Sequence, residues 1–354
     1  MHHFIISDSF KGSLTSEEVA LTVQNGILQG DREATIDWSP GADGGEGTLE
    51  MLFANGFVQA EAETIDLAGR PIRAQYTRKN EQAIIEVARV CGLGQVRATD
   101  LPITLHTRGV GRLVLRAMEA GATEFFLALG GTGTTDGGLG FLYELGAVLL
   151  DGRSQPITWT DNPLLETEQI ILPKLAVKLH VLADVTAAYA GKHGAAKVFG
   201  LQKGLTAREI DVLDVHLERI GNILGVNEVA GAGAAGGLGG AVAALGADIL
   251  SGALFLLNQI KFDQRLEAAD YVWTGEGKVD AQTALGKLPA IVAEQANEAL
   301  VPCVILAGHV ERPYAPALIC ESIHDADECV TLDSELSRLR LARRAEQITR
   351  RLNT

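Results

Sequence analysis

The sequence predicts an α/β protein in which a mixed α/β segment is inserted into a domain built on a parallel sheet. Short apolar runs near residues 4 and 272 each lead into a polar, glycine-containing segment with a helical pattern beyond it, which is typical of parallel strands. Between 57 and 90 the pattern changes to short alternating runs broken by turn residues, which is typical of antiparallel hairpins. A chain of 354 residues also exceeds the usual size of one hydrophobic core.

These observations predict two domains. Residues 1–56 and 255–354 are expected to form one discontinuous domain, and residues 57–254 the inserted one. The cleft between two such domains is the expected place for an active site.

The individual elements follow from the local pattern. Phe4, Ile5 and Ile6 predict a strand over 3–7, and Thr15-Ser16-Glu17-Glu18 predicts a capped start for a helix over 15–29. The later predicted elements are a strand over 34–38, a helix over 44–55, hairpin strands within 57–90, a helix over 107–119, a strand over 124–129, a helix over 137–145, strands over 147–150 and 178–183, helices near 207–224 and 234–246, a strand over 271–274 that runs into a polar glycine turn at 275–277, and a strand over 301–308.

Composition limits the classes of partner. The formal net charge of −15 argues against nucleic acid or an anionic membrane, because both require a positive surface. Residues 229–247 carry no charge, but they are mostly Gly and Ala, which supply too little transfer free energy for a membrane span. The cysteines Cys91, Cys303, Cys320 and Cys329 form no CxxC pair, and the chain starts without a signal-peptide pattern, so a cytoplasmic location with reduced thiols is expected.

Glycine is concentrated in five clusters that also contain acids or hydroxyl residues, at 8–13, 41–48, 130–138, 231–240 and 274–280. Glycines at a strand-to-helix junction expose backbone N–H groups that can bind phosphate. The letters GxGxxG at 231–236 follow a poor strand, and no GxxxxGK[ST] occurs. A phosphate site must therefore use neither the Rossmann nor the P-loop architecture.

The cluster GGTGTTDGG at 130–138 follows the apolar run FFLAL. It is interpreted as a phosphate- or nucleotide-binding loop whose predicted contacts are Gly130, Gly131, Thr132, Gly133, Thr134 and Asp136. The alternative is a threonine-capped turn in which Asp136 is the helix N-cap.

Several acids and lysines occupy the ends of predicted strands. Asp184 ends the run VLA, a common place for a Mg²⁺ ligand or a catalytic acid, although an acid that only shapes a loop would look the same. Lys278 and Asp280 place a lysine and an acid after a predicted strand, as Asp8 and Lys11 do, which favours a role in the site. The alternative is that the pair lies in a solvated turn. Glu86, inside AIIEV, is either an ion-paired structural carboxylate or a cleft residue, and the second interpretation is favoured.

Taken together, the clusters resemble the bacterial glycerate kinase family, whose members phosphorylate D-glycerate with ATP. The resemblance runs over nearly the whole chain and rests on the order of DSFKGS, ADGGEGT, IIEVA, GGTGTTDGG, ADVT, GAAKVFGLQKG, GAGAAGGLG and TGEGKVDAQT followed by GK. The chain departs from the family pattern GGSATNDGG at Thr132, Gly133 and Thr135, and from DVTNPL at 187–189. A sugar acid slightly different from glycerate is therefore an alternative substrate.

The resemblance implies a flavodoxin-like domain with a second α/β domain inserted, ATP and Mg²⁺ as cofactors, and 2-phosphoglycerate as product. Phosphoryl transfer needs positioning and charge neutralisation more than covalent chemistry from the protein. The predicted roles are catalysis by Asp184, Asp43, Lys11 and Lys278, substrate binding by Asp8, Ser9, Lys11 and Glu86, phosphate binding by Gly275 and Gly277 besides the 130–136 set, and metal binding by Asp184 and Asp280.

Three alternatives stay open. A glycerate 3-kinase or a kinase of a related small sugar acid would use the same clusters. A regulator that binds a phosphosugar or nucleotide without turnover would use the same glycine loops but would need no acid beside the acceptor hydroxyl. The protein is expected to act as a monomer or a homodimer on a small molecule.

Overall fold

The structure, a computed structural model, describes residues 1–159, 162–325, 328, 330 and 332–354, so Cys329 lies outside the described residues. The chain divides into two compact units. Unit 1 comprises Met1–Asp43, Glu50–Gly56 and Ala253–Thr354, and unit 2 comprises Gly44–Leu49 and Phe57–Gly252. That each unit folds as an independent domain stays a prediction.

The secondary structure alternates between strands and helices for most of the chain. The strands are β1 (His2–Ser7), β2 (Thr35–Pro40), β3 (Val58–Ile65), β4 (Pro71–Lys79), β5 (Gln82–Glu86), β6 (Glu124–Ala128), β7 (Val148–Leu150), β8 (Gln169–Ile171), β9 (Lys178–Leu182), β10 (Asp248–Leu250), β11 (Tyr271–Val279), β12 (Cys303–Val310) and β13 (Ile319–Ser322). The α-helices are α1 (Ser16–Gly30), α2 (Thr48–Ala54), α3 (Ala88–Cys91), α4 (Arg108–Glu119), α5 (Leu139–Glu144), α6 (Ala195–Phe199), α7 (Ala207–Leu224), α8 (Leu238–Ala243), α9 (Gly252–Gln259), α10 (Phe262–Glu267), α11 (Leu288–Glu298) and α12 (Ser334–Leu352).

Unit 1 is built on a five-stranded sheet in the order β13-β12-β11-β1-β2, and every neighbouring pair is parallel. Numbered along unit 1 alone, this is the order 2-1-3-4-5 of flavodoxin-like sheets. The predicted fold class is therefore confirmed. The order reverses between β1 and β11, and ligands of such sheets bind beyond the carboxyl ends of the strands at that position.

The apolar run at the start of the chain is continuous because β1 is covered on both faces. Ile5 belongs to the core that also contains Val19 of α1 and Leu341 of α12. Phe4 points to the other face, where its ring lies 5.6 Å from that of Phe262 in α10. The capped start predicted for α1 is confirmed, since Thr15 and Glu18 form a reciprocal capping box.

Unit 2 is built on a six-stranded mixed sheet in the order β10-β9-β6-β5-β4-β3. Strands β3, β4 and β5 are antiparallel, as the alternating pattern over 57–90 predicts, whereas β5, β6, β9 and β10 are parallel. A separate pair is formed by β7 and β8. Because β5, β6 and β9 are parallel neighbours, the loops that follow them leave the same edge of the sheet, which we call the unit 2 edge.

Three predicted elements differ from those observed. Helix α2 begins at Thr48, after a glycine-rich loop, and not at residue 44. The helix predicted over 234–246 is wrong in its first turn, because Ala235 has a left-handed φ of 53° and α8 begins only at Leu238. Strand β11 continues to Val279, through the segment predicted to be a turn. Among the described residues, no helix combines the length and apolar character needed to cross a bilayer.

Candidate active site

A cleft of about 420 Å³ lies within unit 1 at the carboxyl ends of β1 and β11. It is called the unit 1 cleft. Its charged lining residues are Asp8, Lys11, Asp43, Glu276, Lys278, Asp280 and Lys287. The predicted site residues Ser9 and Gly277 line it as well. The structure therefore brings together most of the predicted residues of the two ends of the chain.

Asp8 is fixed at the point where β1 ends. Its backbone N–H donates to the carbonyl of Gly275 at 3.0 Å, and its Oδ1 accepts from the backbone N–H of Ser9 at 2.7 Å. Burial, followed by the negative charge of Asp43, raises the pKa of the Asp8 carboxyl to about 7. A carboxylate whose pKa lies near neutral pH is suited to accept and return a proton in catalysis.

Glu276 and Lys287 form an ion pair inside the unit 1 cleft. The Lys287 Nζ donates to Glu276 Oε2 at 2.9 Å, and the Thr283 hydroxyl donates to Glu276 Oε1 at 2.6 Å. The side chain of Glu276 is 6% exposed, whereas that of Lys287 is 33% exposed. The carboxylate is thus held from two sides, and the ammonium is the accessible end of the pair.

Lys278 and Asp280 lie at the rim of the same cleft. Lys278 is 51% exposed, and its Nζ lies 2.7 Å from Glu311 Oε2 and 3.5 Å from Asp280 Oδ2. The hydrogen bond to Glu311 raises the pKa of Lys278. Asp280 Oδ1 accepts from the backbone N–H of Gln282, and this bond lowers the pKa of Asp280. These contacts favour the solvated-turn alternative for the pair over a catalytic lysine.

The glycines of TGEGKVD serve strand packing. Gly275 lies inside β11, where a Cβ atom would come within 1.9 Å of the Leu306 carbonyl oxygen on β12. A Cβ on Gly277 would lie 3.4 Å from the backbone nitrogen of Lys11. The prediction of a glycine turn is therefore corrected: both residues lie within β11, and Gly275 lets this central strand approach β12 closely.

The loop 130–138 follows β6 at the unit 2 edge, and Asp136 is its buried centre. The carboxylate of Asp136 accepts hydrogen bonds from the backbone and hydroxyl of Thr107 at 2.8 Å and from the backbone N–H groups of Gly138 and Gly140 at 3.0 and 3.1 Å. Its exposure is 0%. A structural role is favoured for Asp136, because its carboxylate is saturated by four donors and stabilises the loop. The N-cap of α5 is Gly138 and not Asp136, so the predicted capped turn is wrong in that detail.

Most of the rest of this loop is also buried. Thr132, Gly133 and Thr134 are covered, whereas Gly130 is partly accessible and Gly131 is exposed. The Gly130 N–H donates to the carbonyl of Gly44 at 3.2 Å. The accessible backbone at Gly130 and Gly131 is thus the part of the predicted phosphate loop that a ligand can reach without rearrangement.

Lys203 supports the same loop from the interior of unit 2. Its side chain is buried, and its Nζ donates to the carbonyl oxygen of Thr134 at 2.6 Å. Burial lowers the pKa of Lys203 to about 8. The amine thus fixes the loop backbone, while low polarity makes its charged form costly.

Glu86 and Asp184 also lie at the unit 2 edge. Glu86 is 1% exposed, accepts from the backbone N–H of Leu49 at 3.1 Å and pairs with Arg89 at 3.1 Å. These contacts favour the ion-paired structural alternative over the predicted substrate contact. Asp184 is partly buried, and its Oδ1 accepts from the Ser251 hydroxyl at 2.8 Å and from the Gly252 N–H, where α9 begins, at 3.1 Å.

The described part of the chain contains no group of three or more His, Cys, Asp or Glu side chains arranged to hold a metal ion. This does not conflict with Mg²⁺ chemistry, because Mg²⁺ usually takes one or two protein carboxylates and completes its shell with phosphate oxygens and water. The metal roles of Asp184 and Asp280 stay predictions.

The sequence reasoning assigned no role to Glu276, Lys287 or Lys203. Lys287 and Lys203 lie in segments that enter only through the family resemblance, and Glu276 lies in the glycine cluster 274–280, whose predicted site residues are its neighbours. Glu276 is flanked by two glycines within a strand, and a charged residue at a buried strand position was the signal that could have identified it. Nothing local distinguishes Lys203 from an exposed lysine, since its burial depends on a loop far away in sequence.

Comparisons with known proteins give a consistent result. A sequence profile of the glycerate kinase family matches residues 3–353. A glycerate kinase of Bacillus subtilis 168 is 37% identical over 329 residues, which cover 88% of this chain and 86% of that protein. A glycerate 2-kinase of Escherichia coli K12 is 34% identical over 320 residues, which cover 86% of this chain and 84% of that protein. A crystal structure from Salmonella typhimurium LT2, provisionally described as glycerate kinase 2, matches with a TM-score of 0.84 at 31% identity and covers 100% of this chain and 98% of that chain.

Proposed function

Since the chain belongs to the glycerate kinase family, as the order of its motifs predicts, we propose that it transfers the γ-phosphoryl group of ATP to D-glycerate. The proposed product is 2-phosphoglycerate. Support for the product comes from the resemblance and from the relative named glycerate 2-kinase. The cytoplasm, where ATP is available, is the proposed location.

The observation that carries the proposal is that Asp8, Asp43 and Lys11 line one cleft at the carboxyl ends of β1 and β11. Burial and the charge of Asp43 raise the pKa of Asp8 to about 7, and Lys11 lines the same cleft. A protein with a net charge of −15 needs such local cations to receive two anionic substrates. The same cleft also supplies the acid that the proposed reaction needs.

In the proposed reaction, Asp8 accepts the proton of the attacking glycerate hydroxyl. A bond forms between that oxygen and the γ-phosphorus, the bond from the γ-phosphorus to the bridging oxygen breaks, and ADP leaves with the electron pair of that bond. Lys11 attracts the anionic groups, and its positive charge also counteracts the rise in the pKa of Asp8. The protein supplies position and charge, and the phosphoanhydride supplies the driving force.

The carboxylate of Asp43 lines the unit 1 cleft together with Asp8. A magnesium ion fits such a carboxylate, because Mg²⁺ takes one or two protein carboxylates and completes its shell with phosphate oxygens and water. A bound Mg²⁺ would neutralise phosphate charge during transfer. Asp43 is proposed to hold it, with Asp184 and Asp280 as the acids that the sequence predicts for this role.

An assay of ADP release tests the proposal against the binding-only alternative. The purified chain is incubated with MgATP and, separately, D-glycerate, L-glycerate, glycolate, lactate and tartronate. The proposal expects turnover that is fastest with D-glycerate. Turnover that is faster with another acid would assign that acid as the substrate, and binding of ATP without turnover on any acid would favour a regulator.

A further inference from the structure

The unit 1 cleft contains three lysines, and their surroundings differ. Lys278 lies at the rim, where it is 51% exposed and paired with Glu311, which is 61% exposed. Lys11 is exposed as well. Lys287 is held by a carboxylate that is only 6% exposed and whose other oxygen accepts from Thr283. An exposed pair is screened by water and loses little when it is broken, whereas a pair with a buried partner keeps its geometry.

The local structure fixes where Lys287 can lie. Its backbone is the N-cap of α11, with Leu288 and Pro289 as the first residues of the helix. Gly286, immediately before it, has φ of 100°, a value that glycine adopts readily. The chain therefore turns sharply and places the lysine at the positive end of an 11-residue helix.

Glu276 enters the cleft from a different element. It lies on β11 between Gly275 and Gly277, and the missing side chain of Gly275 lets the strand approach β12. The ammonium of Lys287 is thus held between a central strand and a helix start. The ammonium has three N–H donors and uses one of them in the hydrogen bond to Glu276, so it can donate to a ligand as well.

We propose that Lys287 binds an anionic oxygen group of a substrate in the unit 1 cleft and that Glu276 is the positioning residue that holds its ammonium there. The group is a carboxylate or a phosphate, which present the same chemistry to an ammonium. This inference rests on the proposed function and replaces Lys278 by Lys287 as the cation that contacts the substrate.

The test compares a variant that lacks both charges of the Lys287–Glu276 pair with a control pair outside the cleft and with a variant of the rim lysine. Replacing Lys287 alone would leave a buried carboxylate without its cation, so the main variant is the double substitution Lys287→Met with Glu276→Gln, which removes both charges. The control is Lys197→Met with Asp211→Asn, an exposed pair in unit 2, and Lys278→Met tests the rim lysine. All are compared with the parent by thermal melting and by initial rates in which D-glycerate and MgATP are varied in turn.

Loss of one charged hydrogen bond to substrate is expected to raise one of the two KM values by about tenfold or more in the double variant, while the other KM hardly changes. A rise in the KM for D-glycerate identifies the carboxylate, and a rise in the KM for MgATP identifies the phosphate. Glu276→Gln alone should raise the same KM by a smaller factor and lower the melting temperature, because a buried charged hydrogen bond is weakened. The control pair at Lys197 and Asp211 should keep both KM values of the parent, and Lys278→Met should change them less than the double variant does.

Two results would overturn the inference: a double variant that melts like the parent and keeps both KM values, or a Lys278→Met variant that shows the larger KM change. Calorimetric titration of the same variants with MgADP and with D-glycerate separates this inference from the proposed function. If the parent binds either compound but turns over no acid, the proposed function fails, and weaker binding by the double variant still supports the role of Lys287. If the parent binds neither compound, the inference fails too.

Discussion

Asp43 shares a cleft with Asp8, and its negative charge adds to burial in raising the pKa of the Asp8 carboxyl to about 7. The folded protein therefore favours the neutral form of Asp8 between its ordinary pKa of 3.8 and about 7. The stability contributed by Asp8 is fully present below pH 3.8 and is lost as the pH rises through about 7. A group that costs stability at the pH where the cell operates is characteristic of function.

The first prediction concerns Asp8→Asn. Turnover should fall by about a hundredfold or more, because the variant cannot accept the hydroxyl proton. The kcat/KM of the parent should rise through pH 7 as Asp8 ionises, and the variant should lack this rise. At pH 8 the variant should melt at or above the temperature of the parent. Asp211→Asn, at an exposed pair in unit 2, is the control and should behave like the parent, whereas an active Asp8→Asn would remove Asp8 from the mechanism.

Asp184→Asn tests the acid that the sequence predicts for Mg²⁺ or for the glycerate hydroxyl. The amide oxygen can still accept from Ser251 and Gly252, so folding should hardly change. Loss of the charge should lower turnover at saturating MgATP by about a hundredfold. A turnover within a few-fold of the parent at an equal melting temperature would make Asp184 a loop residue that positions the start of α9.

Glu86→Gln distinguishes the structural role of Glu86 from the predicted substrate contact. The amide can still accept from Leu49, but Arg89 loses its charged partner. The free energy of unfolding should fall by about 1–3 kcal/mol, because a buried charged hydrogen bond is weakened. The KM for D-glycerate should stay within about twofold of the parent. A large rise in KM without a loss of stability would restore Glu86 as a substrate-binding residue.

The stability of unit 1 should depend on His3. The Trp273 indole N–H donates to His3 Nδ1 at 2.9 Å, and burial lowers the pKa of His3 to about 4. The unfolded chain binds a proton below pH 6.5, and the folded chain does so only near pH 4, so stability is lost as the pH falls through this window. His3→Gln keeps an acceptor for Trp273 and should show a smaller fall in melting temperature between pH 7 and 5. An equal fall in parent and variant would assign the acid sensitivity to other groups.

Sequence patterns predicted the order of elements well where one physical signal decides the structure. The apolar run of β1, the capping box at Thr15 and the alternating pattern over 57–90 each depend on neighbours along the chain. The turn predicted at Gly275 is wrong because the role of this residue depends on a strand that is remote in sequence. A glycine permits a turn, but here it avoids a clash with the Leu306 carbonyl of β12.

The sequence predicts the position of the candidate site better than it predicts the roles of the individual residues. Strand-end residues such as Asp8 were recognisable because parallel strands place their carboxyl ends at one edge. The roles of Asp136 and Glu86 depend on donors that arrive from other loops, Thr107 and Leu49, so sequence alone could not separate a capping acid from a ligand-binding one.

The central claim is the reaction itself, and phosphorus NMR of the product tests it most directly. The chain is incubated with D-glycerate and MgATP, and the phosphomonoester is identified against authentic 2-phosphoglycerate and 3-phosphoglycerate. We expect the resonance of 2-phosphoglycerate to grow together with that of ADP. A product that is mainly 3-phosphoglycerate, or ADP without any new phosphomonoester, would contradict the account.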